Sequence, residues 1–404
     1  MRSIVDLKQK KLLDIMRTIQ IHKPIAKPDV AIRSNISTVT AHTIITELEN
    51  DGLVTPTGES KSTGGRKAVL YAPNPEFGYI ISLNHGRSKV TTSIYDFSLK
   101  ILYTNISRSD ITNSNLAIDN IKEEINHAIE SSGVPKDKIL GIGITLPGQI
   151  NHNDGVVVGL LNLDDWSNIP LKSIIEKITG IPTCVYNDNR ANIISCKWLG
   201  KVSESAIAAY IDISDGVGVG LMIKGEVFSG SHSFAGELGH LDARSKITCK
   251  CGNKGCAETL VCSAHVISQV QKKFNPTFTA VDSTKTCINE IIQMAKNGNE
   301  GVYKIIKDAT QNIGFIIDSV IKAYDPDKII IYNPWLMHFE ELYDEVLDDV
   351  FNRCKWLKRG TVDIELDTDN IIDSYGPASI VMENLFTFDL ENRIMLKLDK
   401  SSSA

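Results

Sequence analysis

The apolar positions in the first part of the chain follow helical spacing. A helix over residues 6–20 is predicted by five such positions, Leu7, Leu12, Leu13, Ile15 and Met16. A second short helix is predicted after Pro28, and a third runs from a cap at Ser37 to about Asn50. The inward-facing residues of the third helix are expected to be Val39, Ile44, Ile45 and Leu48. Two short strands at 53–54 and 69–71 then predict a β-wing after three helices.

After a proline-containing linker at residues 72–77, the pattern alternates between β-type apolar runs and helical spacing. Strands are predicted at residues 79–83, 90–95, 101–105, 140–146, 206–213, 218–223 and 328–332. Helices are predicted at residues 118–129 and over most of 258–324. This alternation predicts an α/β body. Two strand meanders, starting near 79 and near 206, indicate an internal duplication.

The outer face of the third helix carries small polar residues, as a recognition helix needs in the major groove. The candidates for base contact are Ser37, Thr38, Thr40, Ala41, His42 and Thr43. In the loop that follows, Gly64 and Gly65 allow a close backbone approach, and Arg66 with Lys67 suits a narrow minor groove. These features predict a winged helix-turn-helix. From the residues alone, a three-helix bundle with a flexible charged linker stays open.

Charge is divided unevenly between this head and the body. The 404 residues include 43 Lys+Arg and 49 Asp+Glu, a formal net charge of −6. Residues 1–80 hold 11 basic and 8 acidic residues, which leaves 32 and 41 for the remainder, so the two parts carry +3 and −9. A mildly basic head on an acidic body is typical of a DNA-binding module fused to a sensor or enzyme. Chance variation in charge is the alternative.

Composition supports a folded chain, with 42% hydrophobic and 23% charged residues. Apolar runs stay shorter than the roughly 20 residues that a membrane-spanning helix needs. The N-terminus lacks the apolar segment and cleavage site of a secretory signal. We therefore expect a cytoplasmic bacterial protein that has no contact with membranes and is nucleoid-associated when bound to DNA.

A cluster of cysteines gives the strongest local signal. The spacing His-x8-Cys-x-Cys-Gly-x-x-Gly-Cys brings together four candidate metal ligands, His240, Cys249, Cys251 and Cys256. One imidazole and three thiolates suit a closed tetrahedral zinc site, and thiolates select against magnesium and calcium. Gly252 and Gly255 allow the tight turn that convergence requires. We expect one structural Zn²⁺ per chain. Free cysteines in a loop are the alternative, and Cys262 is expected in the core.

The run Gly236-Glu237-Leu238-Gly239-His240, followed by the cysteine motif and Glu258, resembles the signature of the ROK family of repressors, open reading frames and sugar kinases. The resemblance covers nearly the whole chain. The order of head, glycine-rich loop and body is similar to the repressor branch of the family, which includes N-acetylglucosamine, Mlc-type and xylose repressors.

The resemblance implies an α/β fold with a winged helix-turn-helix and a two-lobed, actin-like (ribonuclease H-like) sugar-kinase body. We expect the head at residues 1–72 and the first lobe at 78–190. The second lobe, with the zinc site and dimerisation helices, is expected at 191–375. A C-terminal helix at about 376–398 is expected to pack back on the first lobe.

The resemblance also implies a sugar cleft between the lobes. Its sugar contacts match six positions here, Gly148, Asn187, Asp188, Glu237, His240 and Glu258. Carboxylates and an amide can pair with several hydroxyls of a sugar ring. His240 can bind zinc through one ring nitrogen and a sugar hydroxyl through the other. Without the resemblance, Asp188 reads equally well as a turn residue and Glu237 as a surface charge.

Three nucleotide-binding elements of the family's kinases are altered. The first loop, residues 82–89, lacks the aspartate and the paired glycines. The second keeps glycines at 216, 218 and 220 but has Val217 where the kinases have threonine. The third reads Tyr332-Asn333-Pro334 in place of a glycine pair. Phosphates need close backbone N–H groups and a metal-holding oxygen. ATP binding is therefore expected to be lost, which leaves Asp188 as a vestigial base.

These inferences predict a sugar-responsive transcriptional repressor that senses a carbohydrate or phosphosugar without phosphorylating it. Operator DNA, a sugar effector and a second copy of the chain, as a homodimer or tetramer, are the expected partners. Two alternatives stay open: an ATP-dependent sugar kinase of the ROK family, and a regulator that binds a sugar-transport protein.

Overall fold

The computed structural model describes most of the chain. The described residues are 4–60, 67–87, 89–160, 163–203, 206–274, 276, 278, 284–368 and 375–386. Within these ranges, we find no helix that combines the length and the apolar composition needed to cross a membrane.

The head contains the predicted three helices and wing. Its elements are α1 (Ile4–His22), β1 (Ile25–Ala26), α2 (Lys27–Arg33), α3 (Thr38–Asn50), β2 (Val54–Glu59) and β3 (Val69–Pro73). The two wing strands pair antiparallel and are longer than predicted. The short strand β1, which the sequence pattern did not reveal, adds to the other edge of β3 to give a sheet of order β1-β3-β2.

Helix α3 begins as predicted, because the Ser37 side chain accepts a hydrogen bond from the Thr40 backbone N–H at 3.0 Å. Its inward face is rotated from the prediction. Ala41 is 0% exposed and lies in the core, whereas Val39 is 74% exposed. The expectations that Ala41 faces outward and Val39 inward are therefore wrong. The buried positions 41, 44, 45 and 48 follow one stripe of the helix, and Val39 falls on the opposite side.

The first part of the body is built on a five-stranded sheet of order β10-β7-β4-β5-β6. Its elements are β4 (Tyr79–His85), β5 (Lys89–Asp96), β6 (Ile101–Arg108), α4 (Ser114–Ser132), β7 (Ile139–Leu146), β8 (Gln149–Asn151), β9 (Val156–Gly159), α5 (Leu171–Thr179), β10 (Thr183–Asn187) and α6 (Asp188–Trp198). Strands β4 to β6 form the predicted antiparallel meander, and β7 and β10 add in parallel.

The second part repeats this topology with a sheet of order β13-β12-β11-β14-β15. Its strands are β11 (Ile207–Ile213), β12 (Val217–Ile223), β13 (Glu226–Val227), β14 (Lys328–Tyr332) and β15 (Asp363–Leu366). Its helices are α7 (Glu258–Val261), α8 (Ser263–Lys273), α9 (Thr284–Lys296), α10 (Glu300–Thr310), α11 (Ile313–Tyr324) and α12 (Glu340–Arg353). Again an antiparallel meander is followed by two parallel strands, so the indicated duplication is present in the structure.

Helix α13 (Gly376–Asn384) returns to the first sheet, where it packs on α6 and β7. The predicted extension of this helix to residue 398 lies outside the described residues. The helix also joins the head to the body, because one hydrophobic cluster contains Met16 and Ile19 of α1, Trp198 of α6 and Ile380 of α13. The head therefore shares a core with the body.

Candidate functional site

The four predicted metal ligands converge in the loop between β13 and α7. The donor atoms of His240, Cys249, Cys251 and Cys256 all lie within 4.8 Å of one another. The sulfurs of Cys251 and Cys256 are 3.5 Å apart, and the Cys249 sulfur lies 3.7 Å from His240 Nδ1. Donor atoms this close together could hold one metal ion.

Local turns bring these ligands together. The Cys249 N–H donates to the Asn253 carbonyl at 2.8 Å, and Gly252 N–H donates to the Cys249 carbonyl at 3.0 Å. Gly252 and Gly255 have φ angles of 87° and 112°, which favour glycine and agree with the role expected for them. The donor set and its enclosure fit a thiolate-preferring ion such as zinc.

His240 connects this cluster to two carboxylates. Its Nδ1 faces the cysteines and lies 3.9 Å from Glu258 Oε1, while Nε2 points the other way, 3.7 Å from Glu237 Oε2. Glu258 opens helix α7 and also accepts a hydrogen bond from the Cys249 thiol at 2.8 Å. One ring nitrogen can therefore serve the metal while the other serves a ligand next to Glu237.

The junction of β10 and α6 supplies the next group of site residues. Asn187 caps α6 by accepting from the backbone N–H groups of Asn189 and Arg190, and its Nδ2 donates to the Gly148 carbonyl at 3.0 Å. Asp188 Oδ1 accepts from the N–H and the Nδ2 of Asn189 at 2.8 and 2.9 Å. Among the described residues, Asp188 Oδ2 has no such partner, so it is available to a ligand.

The surroundings of Asp188 favour the protonated form of its carboxyl group more than water does. Burial and the nearby Glu237 raise the pKa of Asp188 to about 6, against the lowering effects of a backbone N–H and Arg87. Burial also raises the pKa of Glu237, although His240 and Arg190 oppose it. A hydrogen-bond donor would stabilise the carboxylate forms of both Asp188 and Glu237, and a sugar hydroxyl is such a donor.

All six predicted sugar contacts occupy one region of the molecule. Hydrogen bonds link Gly148 to Asn187, and charge interactions link Asp188 to Glu237 and Glu237 to His240. Sequence reasoning missed Arg190, which is 3% exposed and donates to the carbonyls of Ile150 and Ser233 at 3.1 and 2.8 Å. The signal in the sequence that could have pointed to Arg190 was a basic residue two positions after Asp188.

The altered nucleotide loops have roles in packing. Added Cβ atoms at Gly218 and Gly220 would collide with the side chain and the backbone of Asn189, so glycine lets β12 approach the start of α6. Asn333 is fully buried, donates to the Ile213 carbonyl at 3.0 Å and accepts from the next backbone turn. In the first loop, His85 is buried between the Gly86 carbonyl and the Ser109 hydroxyl.

The face of α3 predicted to read DNA is largely exposed. Ser37, Thr38, His42 and Thr43 are exposed, whereas Thr40 is half-buried and its hydroxyl lies 2.8 Å from that of Ser37. Two apolar side chains of the head, Ile32 of α2 and Val39 of α3, are 76% and 74% exposed. Lys67 is exposed at the wing, 3.6 Å from Glu59. Arg66 lies outside the described residues.

The fold and the site define a regulator-type architecture, a winged helix-turn-helix joined to a two-lobed, actin-like body of the sugar-kinase type. The chain belongs to the ROK family, which matches residues 80–367. It is similar to a xylose repressor of Caldicellulosiruptor bescii, with 27% identity over 398 residues that cover 95% of this chain and 98% of the relative. It is also similar to the DNA-binding transcriptional dual regulator NagC of Escherichia coli K12, with 24% identity over 336 residues and 81% of each chain covered.

Solved structures share the same fold. A ROK family transcriptional regulator, a homologue of the E. coli MLC protein, superposes with a TM-score of 0.73 at 23% identity and covers 96% of this chain and 99% of its own. A ROK family glucokinase from Streptomyces griseus, in complex with glucose and AMPPNP, superposes with a TM-score of 0.62 at 20% identity. That kinase covers 75% of this chain and 99% of its own, so the regulator matches more of the molecule.

Proposed function

We propose that the protein is a sugar-responsive transcriptional repressor with a head at residues 1–72 and body lobes at 78–190 and 191–375. The head binds operator DNA, and the cleft between the lobes senses a carbohydrate or phosphosugar. The observation that carries this proposal is the similarity to a xylose repressor over 95% of the chain, head and body together.

The sugar ring binds among carboxylate and amide groups. Asp188 Oδ2 and Glu237 accept from ring hydroxyls, while Asn187 orients the turn that carries Asp188. His240 Nε2 completes the pocket on the side of Glu237. Each sugar hydroxyl both donates and accepts hydrogen bonds. Arg190 and His240 supply N–H donors beside three acceptors, the carboxylates of Asp188, Glu237 and Glu258.

The cleft does not transfer a phosphoryl group. Asp188 matches the base position of the family's kinases, but the first and third loops that would hold ATP lack the kinases' paired glycines. The His85 and Asn333 side chains in these loops are buried and hydrogen-bonded within the protein. Asp188 then acts as a hydrogen-bond acceptor and has no catalytic role.

Zinc is proposed as one structural ion per chain, held by the four converging ligands, His240, Cys249, Cys251 and Cys256. With four protein ligands, the ion would supply rigidity and would carry no bound water. By fixing the orientation of His240, it would set which ring nitrogen faces the sugar. Removal of the metal should therefore weaken sugar binding before it weakens DNA binding.

Helix α6 is proposed to carry the sugar signal to the head. Its first residue is Asp188, and its last turn holds Lys197 and Trp198, which donate to Glu383 of α13 at 3.0 and 2.9 Å. Arg17 of α1 contacts the same carboxylate at 3.3 Å. A shift of α6 on sugar binding would therefore reach α1, and by linkage the coupling amounts to about 1–3 kcal/mol.

On DNA, a homodimer or tetramer would place recognition helices α3 in successive major grooves. The contacts would come from Ser37, Thr38, Thr40, His42 and Thr43, with Arg66 and Lys67 of the wing at the minor groove. A sugar-transport protein is proposed as a further partner of the repressor, and a pull-down from sugar-fed and starved cells tests this proposal.

The decisive test is a thermal-shift screen of the full chain against xylose, glucose, N-acetylglucosamine, N-acetylglucosamine 6-phosphate and ATP-Mg. A ligand at about 100 times its Kd adds about 2.7 kcal/mol of stability. One sugar should shift the melting temperature, and Asp188→Ala should remove the shift, whereas Asp137→Ala, at an exposed carboxylate, should not. A shift with ATP, together with sugar-dependent ADP release, would replace the repressor by the kinase.

A second test addresses the head. Fragmented DNA from the source organism is captured with the wild-type chain and with Thr38→Ala/His42→Ala, both changed at exposed positions. We expect discrete fragments with the wild type and their loss with the double variant. Added sugar should change the amount captured. Equal capture by both proteins would refute the assignment of α3 as the recognition helix.

A further inference from the structure

Val39 occupies the centre of the outer face of α3. It is the second residue of the helix, and its side chain is 74% exposed. The stripe that packs into the core of the head consists of Ala41, Ile44, Ile45 and Leu48. At about 100° per residue, Val39 lies almost diametrically opposite the mean direction of this stripe. The apolar side chain therefore points directly away from the core.

The hydroxyl groups around Val39 are largely used within α3 itself. The Thr43 hydroxyl, one turn further along, donates to the Val39 carbonyl at 3.0 Å. The hydroxyls of Ser37 and Thr40 lie 2.8 Å apart, so one of them donates to the other. Two of these three hydroxyl hydrogens are thus committed inside the helix. The first turns of α3 offer an exposed isopropyl group with a reduced supply of hydroxyl donors beside it.

DNA presents one apolar group that suits such a side chain. In the major groove, the C5 methyl of thymine lies among edges that otherwise carry hydrogen-bond donors and acceptors. A valine side chain can use none of those polar groups, but it can pack against a methyl group. Recognition helices place their N-terminal residues against base edges, and Val39 belongs to the first turn of α3.

We propose that Val39 is a specificity-determining residue of the head, which packs against the C5 methyl of a thymine in each half-site of the operator. This inference rests on the proposed function of α3 as the recognition helix. The contact favours a T·A pair at that position, because the other bases carry no methyl group there. The exposed polar residues Thr38 and His42, on either side along the chain, are left for the hydrogen-bonding edges of neighbouring bases.

The test begins with a DNA sequence that the full chain selects from a random-sequence duplex library. Each thymine of that sequence is then replaced by deoxyuridine, which pairs in the same way and lacks only the methyl group. We expect one thymine per half-site whose replacement raises the Kd about fourfold, the effect of one buried methyl group. Replacement in both half-sites should raise it about fifteenfold, since well-separated positions are roughly additive. Fluorescence anisotropy at one salt concentration measures these Kd values.

Two variants assign the effect to Val39. Val39→Ala should bind the thymine and deoxyuridine duplexes equally, because the methyl groups that contact thymine are gone. Ile32→Ala is the matched control, at a β-branched residue of α2 that is 76% exposed, and it should keep the fourfold difference. Thr38→Ala should weaken binding to both duplexes and keep their ratio, which separates a general loss of affinity from the loss of a methyl contact.

The possible results distinguish this inference from the proposed function. If the full chain selects no sequence, the proposed DNA binding of the head and the role of Val39 both fail. If it selects one, but no deoxyuridine replacement changes the Kd or Val39→Ala keeps every difference, only the role of Val39 is overturned. Size-exclusion chromatography should give the same oligomeric state for Val39→Ala and the wild type. A smaller species for the variant would instead assign Val39 to a contact between copies of the chain.

Discussion

The carboxylate of Glu383 holds the head on the body, and Glu383→Gln tests this directly. In the wild type it accepts from Lys197, Trp198 and Arg17 at 3.0, 2.9 and 3.3 Å. Burial raises the pKa of Glu383, but Arg17 and Lys197 outweigh burial and hold it below its ordinary value. The two cations are 3% and 4% exposed, and the Glu383 carboxylate supplies a counter-charge to both.

The expected loss of stability follows from the charges that remain. Removing one partner of a buried ion pair costs about 3–5 kcal/mol, because the other charge stays buried without compensation. Glutamine retains one acceptor oxygen, and Asp14 lies 3.8 Å from Arg17. We therefore expect Glu383→Gln to lower the free energy of unfolding by an amount at the lower end of this range, about 3 kcal/mol.

Urea unfolding followed by circular dichroism measures this change. Asp308→Asn is the matched control, since it breaks an ion pair with Lys304 in which the side chains are 56% and 74% exposed. The control should cost less than about 0.5 kcal/mol. If Glu383→Gln lowers the free energy of unfolding no more than Asp308→Asn does, the contacts of Glu383 do not hold the head on the body. The same variant should also reduce the change in operator affinity that sugar produces.

Four further variants test other features. Asp188→Asn should be more stable than the wild type by up to about 3 kcal/mol at neutral pH. The pKa of Asp188 is raised in the folded state, so the free energy of unfolding of the wild type falls as the pH rises through about 6, whereas that of the variant does not. A difference in urea unfolding that does not change with pH would contradict this. Ser37→Ala removes the cap of α3 and should cost about 1 kcal/mol in thermal unfolding, and an unchanged curve would refute the cap. Cys251→Ser should lower the zinc content measured by mass spectrometry, and full retention would remove Cys251 from the ligand set. Gly220→Ala should displace Asn189 and weaken sugar binding in calorimetry, whereas wild-type affinity would show that β12 can adjust.

Elements with strong periodicity could be predicted from the sequence. The meander strands, the buried strand β7 and the capped helix α3 lie where the apolar pattern and Ser37 place them. The inward face of α3 was harder to predict from the sequence, because Val39 is apolar yet 74% exposed and Ala41 is small yet buried. Polarity alone therefore does not mark the inward side of this helix.

The convergence of the four candidate metal ligands could be predicted because they are close together in sequence and share one chemistry. The Glu383 cluster could not, since Arg17 and Glu383 are 366 residues apart and each alone reads as a surface charge. The role of Gly220 also depends on tertiary structure, because only the approach of β12 to Asn189 explains why a side chain is excluded there.

The contact between Arg17 and Glu383 has a consequence for biosynthesis. The head is made first, but Arg17 meets Glu383 only after 366 further residues have been added. At about 5–20 residues per second, the interval is roughly 20 to 70 s. Throughout that time α1 can fold with α2 and α3 and can contact Trp198 of α6, but it lacks its ion pair with α13. A nascent chain would therefore carry a head without this ion pair, and a sugar signal that passes through Glu383 would begin only once α13 has been synthesised.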